Sequence, residues 1–154
     1  MEGERADERL GKSINAYLNH YITVADGKAG AVAAASLVLI GFAVAPDAAA
    51  VPLPRWLGAL AAVFAAGFAA SVLYPRTPHF GNGHIFWGDI RQFDSANAYW
   101  QSLHALSADQ IGLELARQNF NVSAVLLRKM AGVRRAIIAF GISALLLAYA
   151  FGAA

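Results

Sequence analysis

The chain has 154 residues, 58% of them hydrophobic and 14% charged, which is far from the composition of an ordinary soluble domain. It has no cysteine, so a disulfide framework, a thiolate nucleophile, a zinc ribbon and an iron–sulfur site are all excluded. Its 12 Lys+Arg against 10 Asp+Glu leave a net charge of +2, too weak a balance to indicate a protein that coats nucleic acid.

Residues 1–28 are mixed in charge, carry Glu2, Glu4, Asp7, Glu8 and Asp26, and run without proline into the first apolar stretch. A cleavable leader ending at Ala43-Val44-Ala45 is disfavoured, because such leaders begin with a short basic segment rather than a long acidic one. The composition of residues 5–28 instead predicts one long helix that starts in water and ends in lipid. On that helix Asn15, Asn19, Thr23 and Asp26 fall within a sector of about 80° and form a polar face, with Leu18, Tyr21 and Ile22 turned elsewhere. Gly27 and Gly30 mark a place for close backbone approach at the membrane entry.

Three stretches, 29–46, 56–75 and 136–154, lack charge and are each close to the roughly 20 residues that cross a bilayer. All three are rich in Ala and Gly, so each is a marginal lipid-facing helix that gains by packing on its neighbours. The expected fold class is all-α: an integral membrane protein with three transmembrane helices, the first and last extended into a cytoplasmic helical region. Of the 12 basic residues, only Arg55 falls in the 47–55 loop. The positive-inside bias therefore places residues 1–28 and 76–135 in the cytoplasm, the 47–55 loop and the C-terminus on the far side.

Between the second and third spans, residues 74–90 combine two prolines, three glycines and the bulky Ile85, Phe86 and Trp87, which predicts an ordered loop rather than a flexible linker. Asp94 or Ser95 then offers an N-cap for a helix to about residue 106, and Ser107 with Gln110 forms a capping box that opens a second helix. The second helix continues through residue 135 into the last span. Glu114, Gln118, Asn121, Val125 and Arg128 share one of its faces, with Lys129 at the edge.

Histidines 20, 79, 84 and 104 have neither the spacing nor the carboxylate company of a metal or phosphotransfer centre. No nucleophile elbow, phosphate loop or dinucleotide fingerprint is present, and no catalytic residue or cofactor is specified. Asp26 and Lys28 are costly so close to a bilayer and call for partners. One account is a structural ion pair with Arg76 or Arg91. The other is a binding site in which Lys28, Arg76, Arg91 or Arg128 holds an anion while Asn19, Asp26, Gln118 and Asn121 read polar edges. Phe86 and Trp87 serve either as an interfacial belt or as a surface for stacking on a base.

The order of NHYITVADGKAG before the first span, LYPR at the end of the second, IFWGDI soon after and LARQNFNVSAVLLRKMAGVRRA before the third resembles the small transmembrane effector family of the Pycsar antiphage systems. That resemblance covers roughly residues 15–136. It implies an effector, not an enzyme, that senses cyclic CMP or cyclic UMP from a partner pyrimidine cyclase during phage infection. It also implies damage to the bacterial inner membrane, leading to abortive infection, with no role for a nucleic-acid polymer. Onto the family's motifs fall Asp26 and Lys28, then Arg76, then Asp89 in the aromatic-Gly-Asp element, and last Gln118, Asn121 and Lys129. Arg76 and Arg91 are the leading phosphate ligands, since a guanidinium offers a planar donor fork. Three Ala-rich helices enclose no obvious pore, so a homo-oligomer is expected. The rival readings are a small membrane scaffold that binds a protein partner, and a membrane-bound phosphate-processing enzyme.

Overall fold

The computed structural model describes residues 6–45, 50–75 and 83–154. Among them every regular element is an α-helix: α1 (Ala6–Val44), α2 (Pro52–Leu73), α3 (Trp87–Ile90), α4 (Ala96–His104) and α5 (Ala108–Gly152). The expected all-α class with long first and last helices is what the structure has. α1, α2 and α5 each contain a stretch long and apolar enough to cross a membrane. The chain divides into two compact units, one of residues 1–21 and 76–126, the other of residues 22–75 and 127–154, and α1 and α5 contribute to both.

The ends of the helices follow from local chemistry. α2 starts at Pro52, four residues before the apolar stretch, because prolines in a first turn lose only amide groups that would be unbonded there anyway. α4 is capped by Ser95, whose hydroxyl accepts from the Ala98 amide at 3.1 Å. The capping box at α5 is reciprocal: the Gln110 amide donates to Ser107 Oγ at 3.3 Å, and the Ser107 amide donates to Gln110 Oε1 at 2.7 Å. Residues 87–90 form the short helix α3, where the glycines and aromatics had suggested loop throughout. Its turn is closed by the Ile90 amide bonding to the Phe86 carbonyl.

The second unit packs the apolar parts of α1, α2 and α5 through small residues. Ala25, Ala29, Ala69, Val72, Val133 and Ala136 form one buried cluster, and Ala43, Ala59 and Leu147 another. Lipid tails are as apolar as these side chains, so close van der Waals contact and interhelical hydrogen bonds hold the unit together rather than hydrophobic transfer. Two glycines set the close contacts: a Cβ on Gly132 would lie 2.5 Å from Val72 Cγ2, and one on Gly58 would lie 2.8 Å from Leu147 Cγ. Ser143, fully buried, donates to the Gly58 carbonyl at 2.8 Å. Close approach was expected at Gly27 and Gly30, but a Cβ on either would meet nothing within 4 Å, because Ala25 and Ala29 carry the inward face of α1. Outward, Leu37, Phe42, Phe64, Ile138 and Leu145 are exposed. Only 17%, 33% and 22% of the most apolar stretches of α1, α2 and α5 is buried within the chain, as expected of helices whose remaining surface is covered by lipid.

Candidate functional site

In the first unit, one segment is held at three points. The His84 amide donates to Glu114 Oε2 on α5 at 3.0 Å, its carbonyl accepts from the Tyr99 hydroxyl on α4 at 2.8 Å, and its ring Nε2 lies 2.7 Å from Ser102 Oγ. The imidazole stacks on Tyr99, with ring centroids 6.5 Å apart, and contacts Phe93 at 5.6 Å. This anchoring fixes the approach to α3 and thereby places Asp89, which is only 4% exposed. Oδ1 of Asp89 and Nδ1 of His84 are buried without a hydrogen-bond partner. Glu114 Oε2 is 3.8 Å from His84 Nδ1, and a Cβ on Gly83 would lie 3.6 Å from that oxygen and 2.6 Å from Asp89 Oδ2. Arg117 NH1 stands 3.6 Å from Glu114 Oε1, at an exposed position.

A second network joins α1 to α5 in the same unit. Asn15 Nδ2 donates to Asn119 Oδ1 at 2.9 Å, Asn119 Nδ2 donates to the Gly11 carbonyl at 2.9 Å, and Asn19 Nδ2 donates to Asn15 Oδ1 at 2.8 Å. Gly11 lets the helices close on each other, since a Cβ there would lie 2.6 Å from Leu115 Cδ2. An open groove of about 450 Å³ beside this contact is lined by Asp7, Glu8 and Asp109 with Ile14 and Leu115. Three carboxylates make it a poor host for a phosphate. Further along α1, the Tyr21 side chain that hydrogen-bonds Tyr17 raises the Tyr17 phenol above its usual value.

In the second unit Lys129 is the hub. Its side chain is 12% exposed, and its ammonium lies 2.5 Å from Asp26 Oδ1 and donates to the Val72 carbonyl at 2.7 Å. The sequence suggested Arg76 or Arg91 as the structural partner of Asp26; among the described residues the partner is Lys129, 103 residues along, and not Arg91. At the other end of this unit Arg55 donates to the carbonyls of Ala43 and Ala45, satisfying the last turn of α1.

The residues singled out from the sequence are thus distributed. Asn19, Phe86, Trp87, Asp89, Arg91, Gln118 and Asn121 belong to the first unit, and Asp26, Lys28, Arg128 and Lys129 to the second. Arg76 lies outside the described residues. Arg91 and Trp87 are exposed, Phe86 packs on Trp87 at 5.2 Å between ring centroids, and Gln118 and Asn121 are half-buried on α5. Lys28 and Arg128 are exposed. Sequence reasoning missed Asn119, Tyr99 and Ser102. A partner 104 residues away leaves no periodic signal, and His84 stood out only as a residue of the loop.

The family model described as the Pycsar effector protein domain matches residues 10–154, nearly the whole chain. The chain belongs to that family. No curated protein and no solved structure shows a significant match. Membership makes the protein an antiphage defence effector, of a family that responds to a cyclic-nucleotide signal and associates with membranes rather than one known for enzymes. The resemblance drawn from the four sequence elements therefore identified the right family, and the three apolar helices agree with a membrane effector.

Proposed function

We propose that this effector binds a cyclic pyrimidine mononucleotide, cyclic CMP or cyclic UMP, made by a partner pyrimidine cyclase, and that binding on the cytoplasmic side disrupts the bacterial inner membrane and aborts infection. The observation that carries the reading is the continuity of α1 and α5. α1 runs unbroken from Asn15 and Asn19 into an apolar stretch, and α5 runs unbroken from Glu114 and Asn119 into another. A ligand that alters the pairing of these helices in water acts on segments that continue into lipid without a joint.

The chemistry for such a ligand is present in the first unit. Arg91, exposed in the turn that ends α3, presents a guanidinium fork to a phosphate, and Arg76 is a second candidate. Trp87, 65% exposed, offers a face for a base, with Phe86 behind it. Gln118 and Asn121 both donate and accept, as a pyrimidine edge requires. Lys28, Asp26, Arg128 and Lys129 would respond at the membrane boundary. A ligand that favours the active arrangement by an affinity ratio of about 100 supplies about 2.7 kcal/mol, enough for a switch close to balance. Membrane damage then requires several copies, since three Ala-rich helices from one chain are few for enclosing a pore.

Calorimetry on the purified effector tests binding. Cyclic CMP or cyclic UMP should bind with one site per chain, and Arg91→Ala should weaken binding at least tenfold while leaving membrane insertion intact. Absence of binding by every cyclic mononucleotide would remove the reading.

A further inference from the structure

Where α1 and α5 enter their apolar stretches, the second unit carries four exposed cations, Lys28 on α1 and Arg128, Arg134 and Arg135 on α5. Lys28 directly precedes the uncharged run 29–46, and Arg135 directly precedes the run 136–154. Within this unit the two helices run the same way, since Asp26 meets Lys129 while Ala43 clusters with Leu147. Lys28, two residues beyond Asp26, therefore lies between the levels of Arg128 and Arg134. At a rise of about 1.5 Å per residue the four cations fall within about 10 Å along the helices, a depth that long side chains reaching outward fit to a headgroup layer. α2 ends at the same level, because the Val72 carbonyl accepts from Lys129, and Tyr74 just after it is 71% exposed, as suits an aromatic at a membrane interface. Asp26, the one acid in this unit's sequence on that side of the apolar stretches, is taken by Lys129. Among the described residues none of the four cations has a hydrogen bond or an ion pair.

We infer that this belt of Lys28, Arg128, Arg134 and Arg135 binds the phosphates of anionic phospholipid headgroups, so that the effector gathers phosphatidylglycerol around its spans in preference to phosphatidylcholine. Clustered cations immediately beside a membrane-crossing helix attract anionic lipid, and a guanidinium fork fits two oxygens of one phosphate. Phosphatidylglycerol leaves that phosphate charge uncompensated, whereas the choline ammonium of phosphatidylcholine cancels it. The surface next to the belt selects a lipid over a free phosphate: Ile137 and Ile138, directly after Arg135, are 48% and 52% exposed and offer acyl chains an apolar face. A soluble phosphate gains nothing from that face. The inference does not depend on which messenger the first unit binds.

The test is native mass spectrometry of the full chain in a non-ionic detergent, titrated with phosphatidylglycerol and with phosphatidylcholine of the same acyl chains. Phosphatidylglycerol should bind at least about fivefold tighter, the factor that one Lys or Arg near an anionic surface supplies. In the quadruple variant Lys28→Gln, Arg128→Gln, Arg134→Gln, Arg135→Gln the two lipids should bind within about twofold of each other, and Arg9→Gln, at an exposed position near the start of α1, should leave the preference unchanged. Glycerol 1-phosphate in excess should not displace the bound lipid. Equal affinity of the two lipids for the native chain would overturn the inference, as would a preference that survives in the folded quadruple variant. Displacement by glycerol 1-phosphate would overturn it too, since the site would then take a free phosphate. The comparison of lipids and the displacement both use the native chain, so the inference stays testable even if the variant does not fold.

Discussion

Lys129 on α5 reaches Asp26 on α1 at 2.5 Å and, with the same ammonium, the Val72 carbonyl at the end of α2, so one side chain ties together the three helices of the second unit. The lysine is nearly buried while Asp26 is more than a third exposed, which discounts the ion pair for solvent screening and leaves the two hydrogen bonds as the larger part. Lys129→Met should lower stability by about 2 kcal/mol, seen as a lower midpoint of thermal unfolding in detergent. Asp26→Asn keeps an acceptor oxygen and should cost clearly less. Equal losses would mean that the Val72 contact contributes nothing.

Gly132 offers a test of packing on the same helix. Gly132→Ala would put a methyl 2.5 Å from Val72 Cγ2 and should destabilise the chain by about 1–3 kcal/mol, the usual cost of overpacking. The double variant with Val72→Ala should recover much of that loss, because the two changes share one volume. At Gly141 a Cβ would meet nothing within 4 Å, so Gly141→Ala should be close to neutral. Thermal unfolding of the four proteins checks all three statements.

The asparagine bridge in the first unit is separable from these effects. Asn119→Ala removes the acceptor for Asn15 and the donor to the Gly11 carbonyl, and should cost about 1–2 kcal/mol. Asn119→Asp keeps the acceptor and loses the donor, so it should fall between wild type and Ala. Faster hydrogen exchange in the first turns of α1, with protection of α2 unchanged, is the expected signature.

Orientation can be read directly because the chain has no cysteine. Single replacements at Ser95 and Ala153 should differ: Ser95→Cys should be labelled by an impermeant maleimide only after the inner membrane is opened, and Ala153→Cys from the periplasmic side of intact spheroplasts. The reverse pattern would contradict the placement drawn from eleven of the 12 basic residues flanking the spans on one side.

Much of the fold was legible because its signals are local. Uncharged length gave three spans, proline-free composition gave α1, and Ser107 with Gln110 opened α5 where the capping box says it should. The site was less legible because its contacts are not. Nothing in helical periodicity pairs Asp26 with Lys129, and the conspicuous Gly27 and Gly30 face open space while Gly132, on a helix read for its polar face, takes the close contact. Glu114 was visible on a face with Gln118 and Asn121, yet its bond to the His84 amide depends on where the chain returns after α3 and α4. Asp89 came forward only through the family resemblance. Its burial without a partner for Oδ1 is what the structure adds.

The central claim is that a small anionic messenger triggers membrane failure, and dye-loaded proteoliposomes test it most directly. With the effector reconstituted in vesicles of bacterial lipid, a cyclic pyrimidine mononucleotide should release the dye at concentrations where non-cyclic CMP and UMP do not, and Arg91→Ala should shift the response to at least tenfold higher concentration. Vesicles that stay sealed at saturating cyclic CMP and cyclic UMP, with the protein inserted and folded, would contradict the account.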